Sequence, residues 1–185
     1  MVIGLISDTH AQLHPGVRRA FHGVDQVWHA GDVGSDAVLL ELAEIAPVTA
    51  IHGNADPVDL QQRLPAHRVI GCGDLRGLLV HHAQDGKGWR PEVAALIEAT
   101  RPHIVVFGHS HVQYLAEHAG VLFVNPGGAG RRRFQLRRSV ALLSIAGGRA
   151  QARFVWLDSI AGRPSAAHQP QRDQQKRPTR RSTAI

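Results

Sequence analysis

Cysteine is almost missing from this chain of 185 residues, where Cys72 stands alone. A single thiol excludes an internal disulfide and a structural zinc cluster built on several cysteines, and it fits a reducing cytoplasm. Long apolar runs are missing as well. No stretch approaches the roughly eighteen residues needed to span a bilayer, so no membrane segment is expected. The opening Met1-Val2-Ile3-Gly4-Leu5-Ile6 lacks the basic region of a secretory leader and reads directly as a strand. The body of the chain also has no basic patches interleaved with aromatics, which argues against a nucleic-acid surface there.

Positive charge is present, but it is gathered at one end. Of a formal net charge of +6, the stretch from Ala161 to Ile185 holds +5, leaving +1 for the preceding 160 residues. There Arg163, Arg172, Lys176, Arg177, Arg180 and Arg181 face only Asp173. The same stretch is rich in Pro, Gln and Ser, with little apolar surface to bury. The sequence therefore predicts one domain over 1–158 and a disordered basic tail over 159–185. Contact with nucleic acid or an acidic partner is expected only from that tail; a solvated extension without a dedicated role is the plainer expectation.

Residues 2–7 read as a buried strand, 15–22 as a short helix opening with Pro15, and 25–29 as a second strand. Ser35 or Asp36 is placed to cap a helix reaching Ile45, with Val38, Leu39, Leu42 and Ile45 at helical spacing. Pro47 ends it, and 48–52 is a third strand. This alternation predicts a mainly parallel sheet whose ligands gather at the carboxyl ends of its strands. Further on, 68–70 and 75–81 read as strands around a Gly71-Cys72-Gly73-Asp74 turn, 92–100 as a helix after Pro91, and 104–107 as a strand. Strands at 112–117, 121–124, 134–145 and 149–157 follow, the last pair joined at Gly147-Gly148. Two packed sheets with helices outside are expected.

One device recurs along the chain. Ser7-Asp8-Thr9-His10 follows the first apolar run, and Gly108-His109-Ser110-His111 follows Ile104-Val105-Val106-Phe107. Each puts two metal-capable side chains at i, i+2 directly after a buried strand, a rigid platform for ligands. Gly31-Asp32, Gly53-Asn54-Ala55-Asp56 and His81-His82 also end apolar runs. Any single histidine here is better read as core or surface, but the ordered set points to a two-metal hydrolytic centre. Carboxylate, imidazole and amide oxygen suit divalent Mn, Fe, Ni or Zn.

Asp-x-His, Gly-Asp, Gly-Asn, His and Gly-His-x-His in this order resemble the calcineurin-like metallophosphoesterases. Gly-Asn-x-Asp ending at Asp56, the small size and Asn125-Pro126-Gly127 are similar to the YfcE-type phosphodiesterase branch; the resemblance runs over about residues 1–157. It implies a four-layer α/β/β/α sandwich of two mixed sheets flanked by helices. It also implies two divalent ions, manganese first, then nickel, iron or zinc. Asp8, His10 and His111 would hold one ion and Asn54, His81 and His109 the other, with Asp32 bridging by giving an oxygen to each. The implied activity is hydrolysis of a small phosphoester substrate, a diester in preference to a monoester, by hydroxide held between the ions. Asp32, Asn54 and His81 would act in catalysis through that centre. A non-catalytic protein-interaction scaffold of the same fold, as in Vps29, is the alternative, and loss of ligand types would favour it; all are present.

Three positions depart from the family pattern. The Gly expected after the middle histidine is His82; strand neighbours point to opposite faces, so His81 is taken as the ligand and His82 as substrate-facing or exposed. Gly128 replaces the Ser that commonly follows Asn-Pro-Gly, which leaves any role near the substrate to backbone N–H groups. One of Arg131, Arg132 and Arg133 could meet a phosphate there. Ala55 stands where many relatives carry a His that protonates the departing oxygen. His29 and His52 are read as orienting or space-filling. His14, His22, His67, His103 and His118 are read as structural or surface residues, and Asp56 as a support or turn stabiliser.

Overall fold

The computed structural model describes residues 1–85, 88–132 and 135–160. The basic tail, from residue 161 on, and Arg133 lie outside them. In chain order the elements are β1 (Val2–Ile6), α1 (Gly16–Ala20), β2 (Gln26–Ala30), α2 (Asp36–Ala43), β3 (Val48–Ile51) and α3 (Val58–Arg63). Next come β4 (His67–Cys72), β5 (Leu75–Val80), β6 (Gln84–Asp85), β7 (Gly88–Trp89), α4 (Pro91–Thr100) and β8 (Ile104–Val106). The last are β9 (Tyr114–His118), β10 (Val121–Asn125), β11 (Ser139–Ala146), β12 (Arg149–Trp156) and α5 (Leu157–Ile160).

Two five-stranded mixed sheets result, ordered β12-β11-β1-β2-β3 and β4-β5-β8-β10-β9. In the first, β1, β2 and β3 run parallel, and β11 adds antiparallel to β1. In the second, β5, β8 and β10 are parallel, with β4 and β9 antiparallel at the edges. Side-chain alternation along each strand divides the core into layers. Ile3 and Leu5 of β1, Trp28 of β2, Leu79 of β5 and Ile104 and Val106 of β8 meet between the sheets. On the outer face of the first sheet, Ile6 and Val27 pack with Val17, Phe21, Val38 and Leu42 from α1, α2 and their flanks. Leu78, Val105 and Phe123 of the second sheet are covered by Val93 of α4 and Trp89 of β7. Helices therefore flank both sheets, in the expected four layers.

Several details differ from the sequence expectation. β4 continues through Cys72, which is buried, so only Gly73 and Asp74 form the turn. β11 begins at Ser139 rather than 134, and β9 at Tyr114 rather than 112. Ser35 is the N-cap of α2, yet its side chain makes no capping bond. Helix α3 and the β6–β7 ribbon carried no expectation, and α5 corrects two: the strand expected to reach 157 ends at Trp156, and residues 159–160, assigned to a disordered tail, continue a helix that starts at the buried Leu157. Gly147 and Gly148, both at positive φ, form a two-residue hairpin between Ala146 and Arg149, as a right-twisted antiparallel pair requires.

Candidate metal centre

The carboxyl ends of β1, β2, β3, β5 and β8 open toward one another, and each is followed by a candidate ligand. The backbone there is unusual. Eight non-glycine residues among those described have positive φ, and five of them are Asp8, His10, Asp32, His109 and His111. Such left-handed conformations cost about 1–3 kcal/mol each and persist only where the surroundings fix them. Here neighbouring loops do the fixing. Asp8 N–H donates to Gly31 C=O at 3.0 Å, His10 N–H to Asp32 C=O at 2.9 Å and Ala11 N–H to Val33 C=O at 2.8 Å. Gly130 N–H reaches Asp8 C=O at 3.1 Å, and Gly108 N–H reaches His81 C=O at 3.0 Å.

Five side chains converge on this floor. Asp8, His10 and His111 bring ligand atoms within 4.8 Å of one another, as do Asp8, Asp32 and His81. Nε2 of His10 lies 3.2 Å from Nε2 of His111, with the rings stacked, and 3.8 Å from Asp32 Oδ2. Nε2 of His111 is 3.4 Å from Asp8 Oδ1. Nδ1–H of His81 donates to Ala30 C=O at 2.8 Å, so Nε2 is left facing Asp32 Oδ2 at 3.3 Å. Asn54 and His109 stand beside this group at the rim and engage each other, Nδ1 to Oδ1 at 2.9 Å. Asp32 Oδ1 accepts Ala55 N–H at 2.8 Å. Oδ2 therefore faces both His10 and His81, a different arrangement from one oxygen for each ion.

The donor set fits a divalent cation. Asp8 Oδ1 and His81 Nε2 are buried and make no hydrogen bond among the described residues, a costly state unless something binds them. Burial raises the Asp8 carboxyl to about 6, against the opposing charge of His81. Burial also acts upward on Asp32, but the contact with and charge of His81, the Ala55 N–H and His10 outweigh it and hold the carboxyl at about 2. Burial acts downward on His81, and there the contact with Asp32 and the charge of Asp8 win, so its pKa is raised. Burial, with His82 and His81 nearby, lowers the pKa of His109.

Around these groups sits a rigid support. His29 is buried and held near pKa 3 by burial and by His81. Its Nδ1 accepts Gly31 N–H at 3.2 Å, so the proton is on Nε2, which donates to Thr9 Oγ1 at 2.9 Å; Thr9 in turn donates to Val33 C=O at 2.9 Å. Asp56 accepts Gly34 N–H at 2.6 Å and Gly53 N–H at 2.7 Å, tying the loops after β2 and β3 together. A Cβ at Gly53 would run into Asp32 Oδ1, and one at Gly128 into the ring of His111. The serine common after Asn-Pro-Gly has no room here. Asn125 is fully buried; its amide donates to Gly108 C=O at 2.8 Å and Ser110 Oγ at 3.1 Å, and its oxygen accepts Gly127 N–H at 2.9 Å. It braces the histidine loop and has no side-chain group left for a substrate. His82 is half-buried, stacked on His109 at 3.8 Å, with Nδ1 accepting from Arg90 at 3.1 Å. His52 donates Nδ1–H to Gly53 C=O at 3.1 Å, and Arg131 and Arg132 are exposed. Sequence reasoning missed Thr9 and the bracing role of Asn125. The signals were a hydroxyl between the two ligands of Asp-x-His and an Asn ending a buried strand.

Known proteins resemble this chain in sequence or in fold. A probable metallophosphoesterase of Methanothermobacter thermautotrophicus is 30% identical over 132 residues, covering 69% of this chain and 76% of the relative. A phosphodiesterase of Methanocaldococcus jannaschii is 28% identical over 145 residues, covering 69% of this chain and 83% of the relative. Among solved structures, Vps29 of Entamoeba histolytica complexed with zinc superposes with a TM-score of 0.66 at 23% identity, over 85% of this chain and 99% of that one. At that identity the likeness shows the fold. No helix among the described residues is long and apolar enough to cross a membrane. With ligand-type residues at the strand ends of two packed sheets and a match to the calcineurin-like phosphoesterase domain over residues 1–148, the chain belongs to the calcineurin-like phosphoesterase superfamily.

Proposed function

We propose that this protein is a metal-dependent phosphoesterase acting on a small phosphodiester. The observation that carries the proposal is the convergence of Asp8, His10, Asp32, His81 and His111 on strained loops, with two buried side-chain atoms that make no hydrogen bond among the described residues. Asp8, His10 and His111 would hold one divalent ion, and His81, with Asn54 and His109 turned from each other, a second. Asp32, whose Oδ2 faces both His10 and His81, would serve both. Manganese is the first choice, then nickel, iron or zinc, because the set mixes carboxylate, imidazole and amide donors. Such ions lower the pKa of a shared water and neutralise charge on phosphoryl oxygens. The chain fixes the ligands: His29 and Thr9 hold the first loop, Asp56 the next two, and Asn125 the last.

Preference for a diester is supported by the phosphodiesterase name of one relative and by Ala55, which offers no proton to a departing group. The test is metal-stripped protein reloaded singly with manganese, nickel, ferrous iron or zinc and assayed on matched aryl mono- and diesters. The expected result is turnover that requires added metal and is faster on the diester. Two bound metals with no turnover of either substrate would favour the scaffold reading that Vps29 neighbours share by fold.

A further inference from the structure

The candidate metal centre opens on one side into a cavity of about 730 Å³. Asn54, His81 and His82 stand at its inner end, so cavity and centre are continuous. Helix α4 forms the opposite wall. Its Glu92, Ala95, Leu96 and Ala99 line the space and recur at helical spacing, which puts them on one face. Val80 and Val93, both buried, complete the apolar lining. Two features limit what fits. Alanines at 95 and 99, where a helix facing a protein wall ordinarily carries larger apolar side chains, leave the space open. Among the described residues no Lys or Arg lines the cavity, and its one carboxylate, Glu92, is held by Arg90 Nε at 2.6 Å. A second phosphate would find no cation there, whereas an apolar ring would meet valine, leucine and alanine methyl groups.

We propose that this cavity is a substrate subsite for an uncharged, apolar ester group of aromatic-ring size, held beside a phosphodiester seated on the metal centre. The proposal rests on the phosphodiesterase function above and extends it to a substrate class: diesters bearing at least one aryl or aryl-sized apolar group. His82 joins the two compartments. It lines the cavity, stacks on His109 at 3.8 Å and has its Nδ1 fixed by Arg90. Burying one phenyl ring against such walls improves affinity by about tenfold or more.

The test compares two non-hydrolysable probes in which carbon replaces both ester oxygens, methyl(phenyl)phosphinate and dimethylphosphinate, titrated calorimetrically into the full chain loaded with manganese. The phenyl probe is expected to bind at least about tenfold tighter. Ala95→Trp and Ala99→Trp fill the cavity from exposed helix positions, so they threaten folding little. Each is expected to cut the phenyl-to-methyl ratio at least about fivefold, and the ratio of kcat/KM for phenyl and methyl 4-nitrophenyl phosphates should fall in parallel. A phenyl preference lost in both variants, with no turnover of any ester, would uphold the subsite and sink the phosphoesterase reading alone. A ratio near one in the native protein, or one that survives both tryptophans, overturns the subsite. Tryptophan variants that change the oligomeric state in sedimentation while keeping the phenyl preference would mark the cavity as an interface between copies, and overturn it equally.

Discussion

Asp8 and His81 carry the clearest physical signature of the site, because each is buried with an atom that makes no hydrogen bond among the described residues. The sign of the pH effect follows. Without metal, Asp8 is raised from 3.8 to about 6, so below that pH it holds a proton that a cation must displace. His81, raised above 6.5, must lose one as well. Metal binding therefore releases protons and weakens as pH falls through about 6. Manganese titration at pH 5.5 and 7.5, in buffers of different ionisation enthalpy, should show affinity at least about tenfold weaker at the lower pH, with net proton release. Equal affinities would remove these two residues from the ligand set. Ala55 supports a second expectation. General-acid help is worth about 10²–10⁴-fold, mostly for poor leaving groups, and a methyl side chain supplies none. Rates across substituted aryl diesters should fall steeply as leaving-group pKa rises. A flat dependence with chemistry rate-limiting would point to another proton donor, His52 or His82. At this scale the residue types and their order were legible from Asp8 to His111. The turning of Asp32 Oδ2 toward both His10 and His81 was not, because it depends on the Ala55 N–H taking the other oxygen.

Elements were legible where a sequence period existed. The apolar runs of β1, β2, β3 and β8 are buried strands, α4 follows Pro91, and Gly147-Gly148 makes its hairpin. Elements without a period of their own were not legible. α3 has six residues and is anchored by Leu60 in the outer core and by the Arg63 ion pairs with Asp36 and Asp59. β6 and β7 have two residues each, too few to show alternation. Contact between the sheets was equally hidden, since it depends on a large residue meeting a missing one. The ring of Trp28 on β2 fills the place where a Cβ on Gly77 of β5 would sit. Trp28 is fully buried, so Trp28→Ala opens a cavity that neighbouring strands cannot close. It should cost about 3–5 kcal/mol of unfolding free energy in a denaturant titration. A loss near or below 1 kcal/mol would show that the sheets collapse onto the gap.

Across the whole molecule, the proposed ligands are divided between the two sheets. Asp8, His10, Asp32 and Asn54 follow strands of the first, while His81, His109 and His111 follow strands of the second. The floor of the site is therefore a seam: His109 N–H donates to Asp8 Oδ2 at 3.1 Å and His81 Nδ1–H to Ala30 C=O at 2.8 Å, each from one sheet to the other. A cation bound by both sides closes that seam in the native state and finds no such set in the unfolded chain. At a free concentration of 100 times Kd it stabilises by about 2.7 kcal/mol, which for a domain of this size is a rise in Tm of roughly 5–10 °C. Manganese should raise Tm by that order, and a chelator should reverse it. Asp32→Ala removes the carboxylate proposed to bridge and should abolish most of the rise and most of the metal content, while also lowering the metal-free Tm, because the Ala55 N–H and His81 lose their partner. If Asp32→Ala kept both the metal and the rise, Asp32 would not bridge. If the native protein bound metal with no rise, the ion would sit on one sheet only, and the seam would owe its closure to the hydrogen bonds alone.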